Sequence, residues 1–187
     1  MSDVLLFHHA QGLTAGVQAF AERLRAAGHR VTAPDLYDGA TFADLDAGVA
    51  HAEEIGFDTL VQRGVAAAAE LPETMVYAGF SLGVMPAQKL AQTRPGAHGA
   101  LLYHEGVASS WFGGPWPTGV ALQVHVSEQD PWCELDVTRG LVEEAGGELF
   151  LYPGDAHLFT DASLEVHDPA ATDLVVSRSL AFLDRLA

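Results

Sequence analysis

Short apolar runs alternate with longer segments of helical periodicity along the whole chain. Runs typical of strands occupy residues 4–7, 30–33, 75–80, 99–103, 121–127 and 148–152. This alternation predicts an α/β fold in which a mostly parallel six-stranded sheet carries helices on both faces.

The segment after the first strand shows the clearest helical pattern. Its apolar residues Val17, Phe20, Ala21 and Leu24 recur at i, i+3, i+4 and i+7, which places them on one helix face. Gly28 is the natural end of this helix. Further helices are predicted near residue 44 and over residues 59–71, 82–93 and about 171–186, whereas the turn-rich stretch 35–56 gives little else to interpret.

The composition indicates one domain that spans residues 1–187. Hydrophobic residues make up 49% of the chain, enough for one substantial core, and no repeat or linker interrupts the pattern. The formal net charge of −16 comes from 25 acidic and 9 basic residues. Because such a surface repels polyanions, we expect no nucleic-acid partner.

Cysteine usage and the N-terminal sequence bear on location. Cys133 is the single cysteine, so no intramolecular disulfide can form and nothing marks an oxidising compartment. The first residues lack the basic segment of a signal peptide, and no apolar run approaches the ~18 residues that cross a bilayer. We expect a cytoplasmic protein without a membrane partner, either a monomer or a homodimer.

The chain contains one candidate nucleophile motif, Gly79-Phe80-Ser81-Leu82-Gly83, between the third strand and the helix after it. This G-x-S-x-G pattern is typical of a nucleophile elbow, in which a sharp strand-to-helix turn exposes the serine. The glycines are needed because neighbouring backbone passes close by, and the backbone N–H of Leu82 becomes an oxyanion donor. The alternative is a serine in a tight turn that serves only the backbone.

A serine nucleophile needs a histidine within hydrogen-bond reach. Among the nine histidines, only His157 and His167 lie beyond the fifth and sixth strands, where a loop could deliver an imidazole to Ser81. His157 is preferred because a short Pro-Gly turn places it directly after the sixth strand. His167 lies among acidic residues further along, which favours a solvated surface position.

The carboxylate that orients the histidine is predicted to be Asp130, at the end of the loop after the fifth strand. Glu128 is closer to the strand but is expected to face outward, and Asp136 falls within the next helix. A cap at the N-terminus of that helix is the alternative role for Asp130.

With these residues in place, the sequence resembles a compact dienelactone hydrolase, of the α/β-hydrolase superfamily, over nearly its whole length. The resemblance implies a sheet with strand order 2-1-3-4-5-6 in this chain's numbering. By position it also implies a second oxyanion donor, the backbone N–H of Ala10. It rests on Gln11-Gly12, residues 33–37 and 79–83, Gln129-Asp130, and His157 with Phe159.

Two departures from the family pattern change what the resemblance implies. Members proper carry a cysteine at the elbow and a glutamate in the first loop, whereas this chain has Ser81 and, at the glutamate's position, His9. The paired change is consistent with plain serine esterase chemistry. Asp161 stands where a substrate-binding arginine would be expected, which argues against an acidic dienelactone as substrate.

Residues 104–117 concentrate aromatic side chains between glycines and prolines. They predict either a pocket wall or lid over Ser81, or a loop that seals the core. The histidine pair at positions 8 and 9 has no zinc-motif spacing, so we expect no metal or cofactor, and Cys133 is expected to be an idle thiol. The candidate substrate-pocket residues are His9, Gln11, Glu105, Trp111 and Trp132.

The sequence therefore predicts a serine hydrolase that cleaves small carboxylic esters or lactones through an acyl-enzyme intermediate. One alternative is a dienelactone hydrolase proper or a thioesterase, with its selectivity in the aromatic loop. Another is a hydrolase-shaped binding protein without turnover, since a fold alone does not give a function.

Overall fold

The computed structural model describes all 187 residues and contains one six-stranded sheet, parallel throughout. The strands lie side by side in the order β2-β1-β3-β4-β5-β6. The predicted order and the α/β class are therefore confirmed. The strands are β1 (Asp3–Phe7), β2 (Arg30–Thr32), β3 (Met75–Phe80), β4 (Ala97–Tyr103), β5 (Ala121–Ser127) and β6 (Glu148–Tyr152).

Six α-helices connect the strands or follow them. The predicted helix at 82–93 begins with a 3-10 turn at Ser81–Gly83, and the one predicted at 59–71 ends early because residues 68–71 form turns. None of the helices combines the length and apolar character that crossing a bilayer requires. The helices are α1 (Ala15–Ala26), α2 (Leu45–Ile55), α3 (Phe57–Ala67), α4 (Val84–Thr93), α5 (Leu135–Ala145) and α6 (Pro169–Arg185).

Side chains alternate between two cores, one on each face of the sheet. Leu5 and Tyr77 point into the core beneath α2, α3, α4 and α5, whereas Val4 and Val76 point into the core beneath α1 and α6. Because both faces are covered, the central strand β3 is buried along its whole length. The sequence pattern of continuous apolar runs follows from this two-sided burial.

The stretch between β2 and α2 is ordered by local hydrogen bonds. The Asp35 carboxylate accepts the N–H groups of Tyr37 at 2.8 Å and Gly39 at 2.5 Å, while Leu36 and Tyr37 are buried. The N–H of Leu36 donates to His8 Nε2 at 3.0 Å, which ties this stretch to the end of β1. These contacts are side chain to backbone, so they leave no periodic signal in the sequence.

Two helical glycines differ in their surroundings, so replacing each by alanine should change the stability in opposite directions. Gly64 in α3 faces α4, where a Cβ would overlap the Pro86 side chain and approach the Phe7 ring at 3.2 Å. Gly140 in α5 faces open space. Gly140→Ala should raise the free energy of unfolding by about 0.5–1 kcal/mol, since alanine restricts the unfolded chain and favours the helix.

Gly64→Ala should instead lower the free energy of unfolding by about 1–3 kcal/mol, because the added methyl overpacks the contact between α3 and α4. Urea denaturation of both variants measures the difference. Equal stabilisation in both would mean that the two helices do not approach as closely as the structure has them.

Candidate active site

The turn after β3 has the backbone geometry of a nucleophile elbow. Ser81 has φ of 48°, in the left-handed region that residues with a side chain rarely adopt, and it is the first residue of a 3-10 turn. A Cβ on Gly79 would overlap the carbonyl of Gly83, and a Cβ on Gly83 would lie 2.6 Å from the carbonyl oxygens of Phe7 and His8. Both glycines are therefore required by close backbone contacts, and the turn packs directly against the end of β1.

The structure brings the three predicted catalytic side chains together at the carboxyl edge of the sheet. Ser81 Oγ lies 2.8 Å from His157 Nε2, and His157 Nδ1 lies 2.6 Å from Asp130 Oδ2. His157 and Asp130 are buried, whereas Ser81 is partly exposed. In the arrangement that satisfies both contacts, Nδ1–H donates to the carboxylate and the serine hydroxyl donates to Nε2.

Asp130 does not cap the helix after it. α5 begins at Leu135 without a side-chain hydrogen bond at its N-terminus. The second carboxylate oxygen of Asp130 instead accepts the N–H of Trp132 at 2.9 Å. The capping alternative is therefore wrong for this residue, and Glu128 is exposed, as the sequence predicted.

The loop that carries His157 is held from several sides. Ser127 Oγ donates to the Ala156 carbonyl at 2.7 Å, and His104 Nε2 and Thr160 Oγ1 lie 2.7 Å apart. Leu158, at φ 61°, turns the chain sharply after the imidazole and is buried. A tightly packed loop of this kind keeps the ring in one place without help from a ligand.

The backbone N–H of Ala10 is free to act as an oxyanion donor. This N–H donates to no carbonyl and to no side chain of the protein, and Ala10 is buried. The carbonyl of the same peptide, that of His9, is fixed by His8 Nδ1 at 2.8 Å and by the N–H of Gly12 at 3.0 Å. Since C=O and N–H point in opposite directions across a peptide, these two contacts also fix the direction of the Ala10 N–H.

A cavity of about 1000 Å³ opens beside His157. Two of the five predicted pocket residues, Gln11 and Trp132, line it, and Gln11 Nε2 donates to the Phe42 carbonyl at 3.1 Å. The sequence missed most of the remaining wall because it comes from loops without strand or helix periodicity. This wall includes Leu13, Thr14, residues 41–45, Pro131, and residues 163–166.

Trp111 does not line this cavity, and of the two alternatives for residues 104–117 the structure favours the loop that seals the core. Trp111 is 64% exposed, and hydrogen bonds hold the segment around it against α4 and α5. Glu144 in α5 accepts hydrogen bonds from Ser109 Oγ at 2.6 Å and from the N–H of Trp116 at 2.9 Å. Trp116 is buried in the core, so the loop seals the core instead.

His9 and Glu105 also lie outside the cavity wall. His9 is 1% exposed, and its Nε2 is 2.7 Å from Asp161 Oδ2. Burial, followed by the nearby charges of Asp130 and Glu134, raises the pKa of Glu105 to about 7. Nowhere do three or more histidine, cysteine, aspartate or glutamate side chains form an arrangement that could hold a metal ion.

Solved structures of similar fold are hydrolases from several sources. One is a dienelactone hydrolase-like promiscuous phosphotriesterase from metagenomic libraries, with a TM-score of 0.75 and 18% identity, covering 100% of this chain and 87% of that chain. Another is a cold-adapted esterase from an Arctic intertidal metagenomic library, with a TM-score of 0.70 and 18% identity, covering 99% and 82%. A third is the mouse alpha/beta hydrolase domain-containing protein 10, with a TM-score of 0.74 and 10% identity, covering 99% and 90%.

At these identities the likeness to solved structures is one of fold. No curated protein matches the sequence. The sequence profile of the dienelactone hydrolase family, however, matches residues 2–187. Since that match covers almost the entire length, the chain belongs to the dienelactone hydrolase family and is a hydrolase with the α/β-hydrolase fold.

Proposed function

We propose that the protein is a serine hydrolase that cleaves carboxylic ester or lactone bonds of small substrates. The observation that carries this proposal is the continuous chain of hydrogen bonds from Asp130 through His157 to Ser81, at 2.6 Å and 2.8 Å. A serine that serves only the backbone needs no such partners. The esterase among the structures of similar fold is consistent with the same chemistry.

The mechanism follows from the donor and acceptor roles that these two contacts require. Ser81 Oγ attacks the substrate carbonyl while its proton passes to His157 Nε2, and Asp130 stabilises the imidazolium that forms. The N–H groups of Ala10 and Leu82 donate hydrogen bonds to the carbonyl oxygen as it becomes negatively charged. His157 then protonates the leaving alcohol, and a water molecule releases the acid by the same steps with the roles reversed.

The cavity favours substrates without negative charge. Its wall contains no lysine or arginine, and it includes the carboxylates of Asp44, Asp155 and Glu165. Apolar side chains such as Leu13, Phe42 and Trp132 supply the contact surface for an acyl or alcohol group. We therefore propose neutral, largely apolar esters or lactones, a class that excludes the acidic dienelactone.

Ser81→Ala should lower kcat by at least about 10³-fold and abolish labelling by a fluorophosphonate probe, because the nucleophile is removed. His157→Ala should have a comparable effect, since the serine then lacks its base. Turnover of p-nitrophenyl butyrate and gel fluorescence measure the two readouts.

His167→Ala is the matched control for His157→Ala, because it removes an imidazole from the same loop outside the site and should leave turnover unchanged. Labelling that persists in Ser81→Ala would place the nucleophile elsewhere. A folded wild-type protein that neither labels nor turns over any ester would instead support the binding-protein alternative.

The charge of the cavity predicts a preference between esters of equal length. At a separation of ~8 Å, each wall carboxylate opposes a substrate carboxylate by about 0.5 kcal/mol in water, so three together give about a tenfold effect. The p-nitrophenyl ester of hexanoate should therefore exceed the half-ester of adipate in kcat/KM by roughly that factor. The ratio should shrink in 1 M salt, where screening is strong.

The double variant Asp155→Asn/Glu165→Gln should reduce this preference severalfold. Its matched control is Glu53→Gln/Asp58→Asn, which removes the same charge from exposed positions outside the cavity and should leave the ratio unchanged. An equal change in both double variants would assign the preference to net charge alone.

The raised pKa of Glu105 makes stability depend on pH. Burial holds this carboxyl protonated up to about pH 7, whereas in the unfolded chain it ionises near 4.5. Between these values the folded state binds the additional proton, so the free energy of unfolding falls as pH rises.

Glu105→Gln should remove this fall in the free energy of unfolding. For pKa values of about 7 in the folded state and 4.5 in the unfolded state, the fall amounts to about 3 kcal/mol. Urea denaturation at pH 4.5 and pH 7.5 measures it in the wild type and the variant. Glu128→Gln is the control, because the Glu128 side chain is exposed to water and the wild-type trend should persist. An unchanged trend in Glu105→Gln would mean that this carboxyl is not the cause.

A further inference from the structure

Two loops meet at the elbow, and a buried side-chain pair joins them. The first loop, residues 8–14, carries the N–H of Ala10, and the second loop, residues 153–168, carries His157. The pair consists of His9 from the first loop and Asp161 from the second, with Nε2 and Oδ2 2.7 Å apart. Their side chains are 1% and 2% exposed, so water does not reach the contact.

The hydrogen bonds of His9 fix which nitrogen holds the proton. Its Nδ1 accepts the backbone N–H of Gln11 at 3.2 Å, so the proton is on Nε2 and is donated to Asp161. The imidazole thus contacts the backbone one residue after Ala10 on one side and the second loop on the other. A neutral ring in this tautomer is a rigid connector between the two loops.

Asp161 is anchored by three more hydrogen bonds besides the one from His9. Thr14 Oγ1 donates to it at 2.5 Å, and Ser163 donates through its N–H at 2.8 Å and its hydroxyl at 2.5 Å. Burial alone would raise the pKa of Asp161, but these hydrogen bonds outweigh it and hold the pKa at about 2. The start of α1 accommodates the carboxylate closely, since a Cβ on Gly16 would overlap it.

We propose that His9 and Asp161 are positioning residues that hold the oxyanion donor Ala10 at a fixed place relative to the base His157. Asp161 lies four residues after His157, and the turn between them is closed by the N–H of Asp161 donating to the Leu158 carbonyl at 3.0 Å. A displacement of one loop would therefore move the donor away from the carbonyl that Ser81 attacks. This inference rests on the proposed function of Ser81 as nucleophile.

The arrangement differs from what stability alone requires. A buried carboxylate loses its hydration, and a pair of apolar side chains of similar volume is often as stable or more so. What the carboxylate provides is direction, because its hydrogen bonds hold Thr14, Ser163 and the His9 ring at fixed angles. Positioning of this kind acts on kcat more than on substrate binding, since the oxyanion forms only during reaction.

Asp161→Asn tests the proposal with almost no change in volume. The amide removes the charge and replaces one acceptor oxygen by a donor, so either His9 and Thr14 or the two donors of Ser163 lose their acceptor and the connection between the loops is weakened. We expect kcat for a neutral p-nitrophenyl ester to fall roughly 10- to 100-fold, with KM within about twofold of wild type. The inhibition constant of a trifluoromethyl ketone, which forms a tetrahedral adduct with an oxyanion, should rise by the same factor as kcat/KM falls.

Asp168→Ala is the matched control, because Asp168 lies in the same loop and its exposed carboxylate accepts the N–H of Ala171 at the start of α6. It should lower the melting temperature without changing kcat or inhibition. If Asp161→Asn melts lower but keeps the wild-type kcat and inhibition constant, the pair is structural only and the proposal is overturned.

A second pair of variants separates positioning from folding. The amide of glutamine in His9→Gln can donate near the place of Nε2, so this variant should retain activity within about threefold, whereas His9→Leu should lose about as much as Asp161→Asn. Equal loss in both would contradict the role of the donated hydrogen bond. If the wild type itself turns over no ester, the proposed function fails; if it does and Asp161→Asn matches it, only the positioning inference fails.

Discussion

The site depends on one backbone constraint, the close approach of the elbow to the end of β1. Gly83 lies against the carbonyls of Phe7 and His8, and Gly79 lies against Gly83, so no other residue type fits at either position. A left-handed residue such as Ser81 costs about 1–2 kcal/mol, and it is maintained because buried β3 and α4 fix both ends of the turn. The same contact places the loop that carries Ala10 beside the serine.

Buried histidines serve as connectors around this constraint. Burial lowers the pKa of His8 to about 4, that of His125 to about 3, and that of His104 well below the usual value, so these rings are neutral at neutral pH. A neutral imidazole donates at one nitrogen and accepts at the other, as His8 does between the His9 carbonyl and the N–H of Leu36. In this chain histidine content therefore indicates loop architecture as well as catalysis.

The sequence was sufficient to predict functional residues that directly follow a strand recognisable from its hydrophobic pattern. Strand ends mark the carboxyl edge, so Ser81, Asp130 and His157 could be selected by their distance from those ends and the structure brings them together. Trp111 was misplaced because nothing in its aromatic segment shows that Glu144, more than thirty residues away, draws it towards α5. The contact between His9 and Asp161 was missed for the same reason, since residues 152 positions apart leave no local pattern in the sequence.

The carboxylates near the site show why a residue type alone does not give its charge. Asp161 and Glu105 are both largely removed from water, and burial raises the pKa of a carboxyl group. In Asp161 four hydrogen bonds outweigh this effect, whereas Glu105 accepts no hydrogen bond that would oppose it. The pKa values of about 2 and about 7 follow from this difference in donors. One acid is thus a permanent anion that can orient its neighbours, and the other is neutral below pH 7 and adds no competing charge beside Asp130. An acid that orients a histidine must therefore be recognised by the donors around it, which only the folded chain supplies.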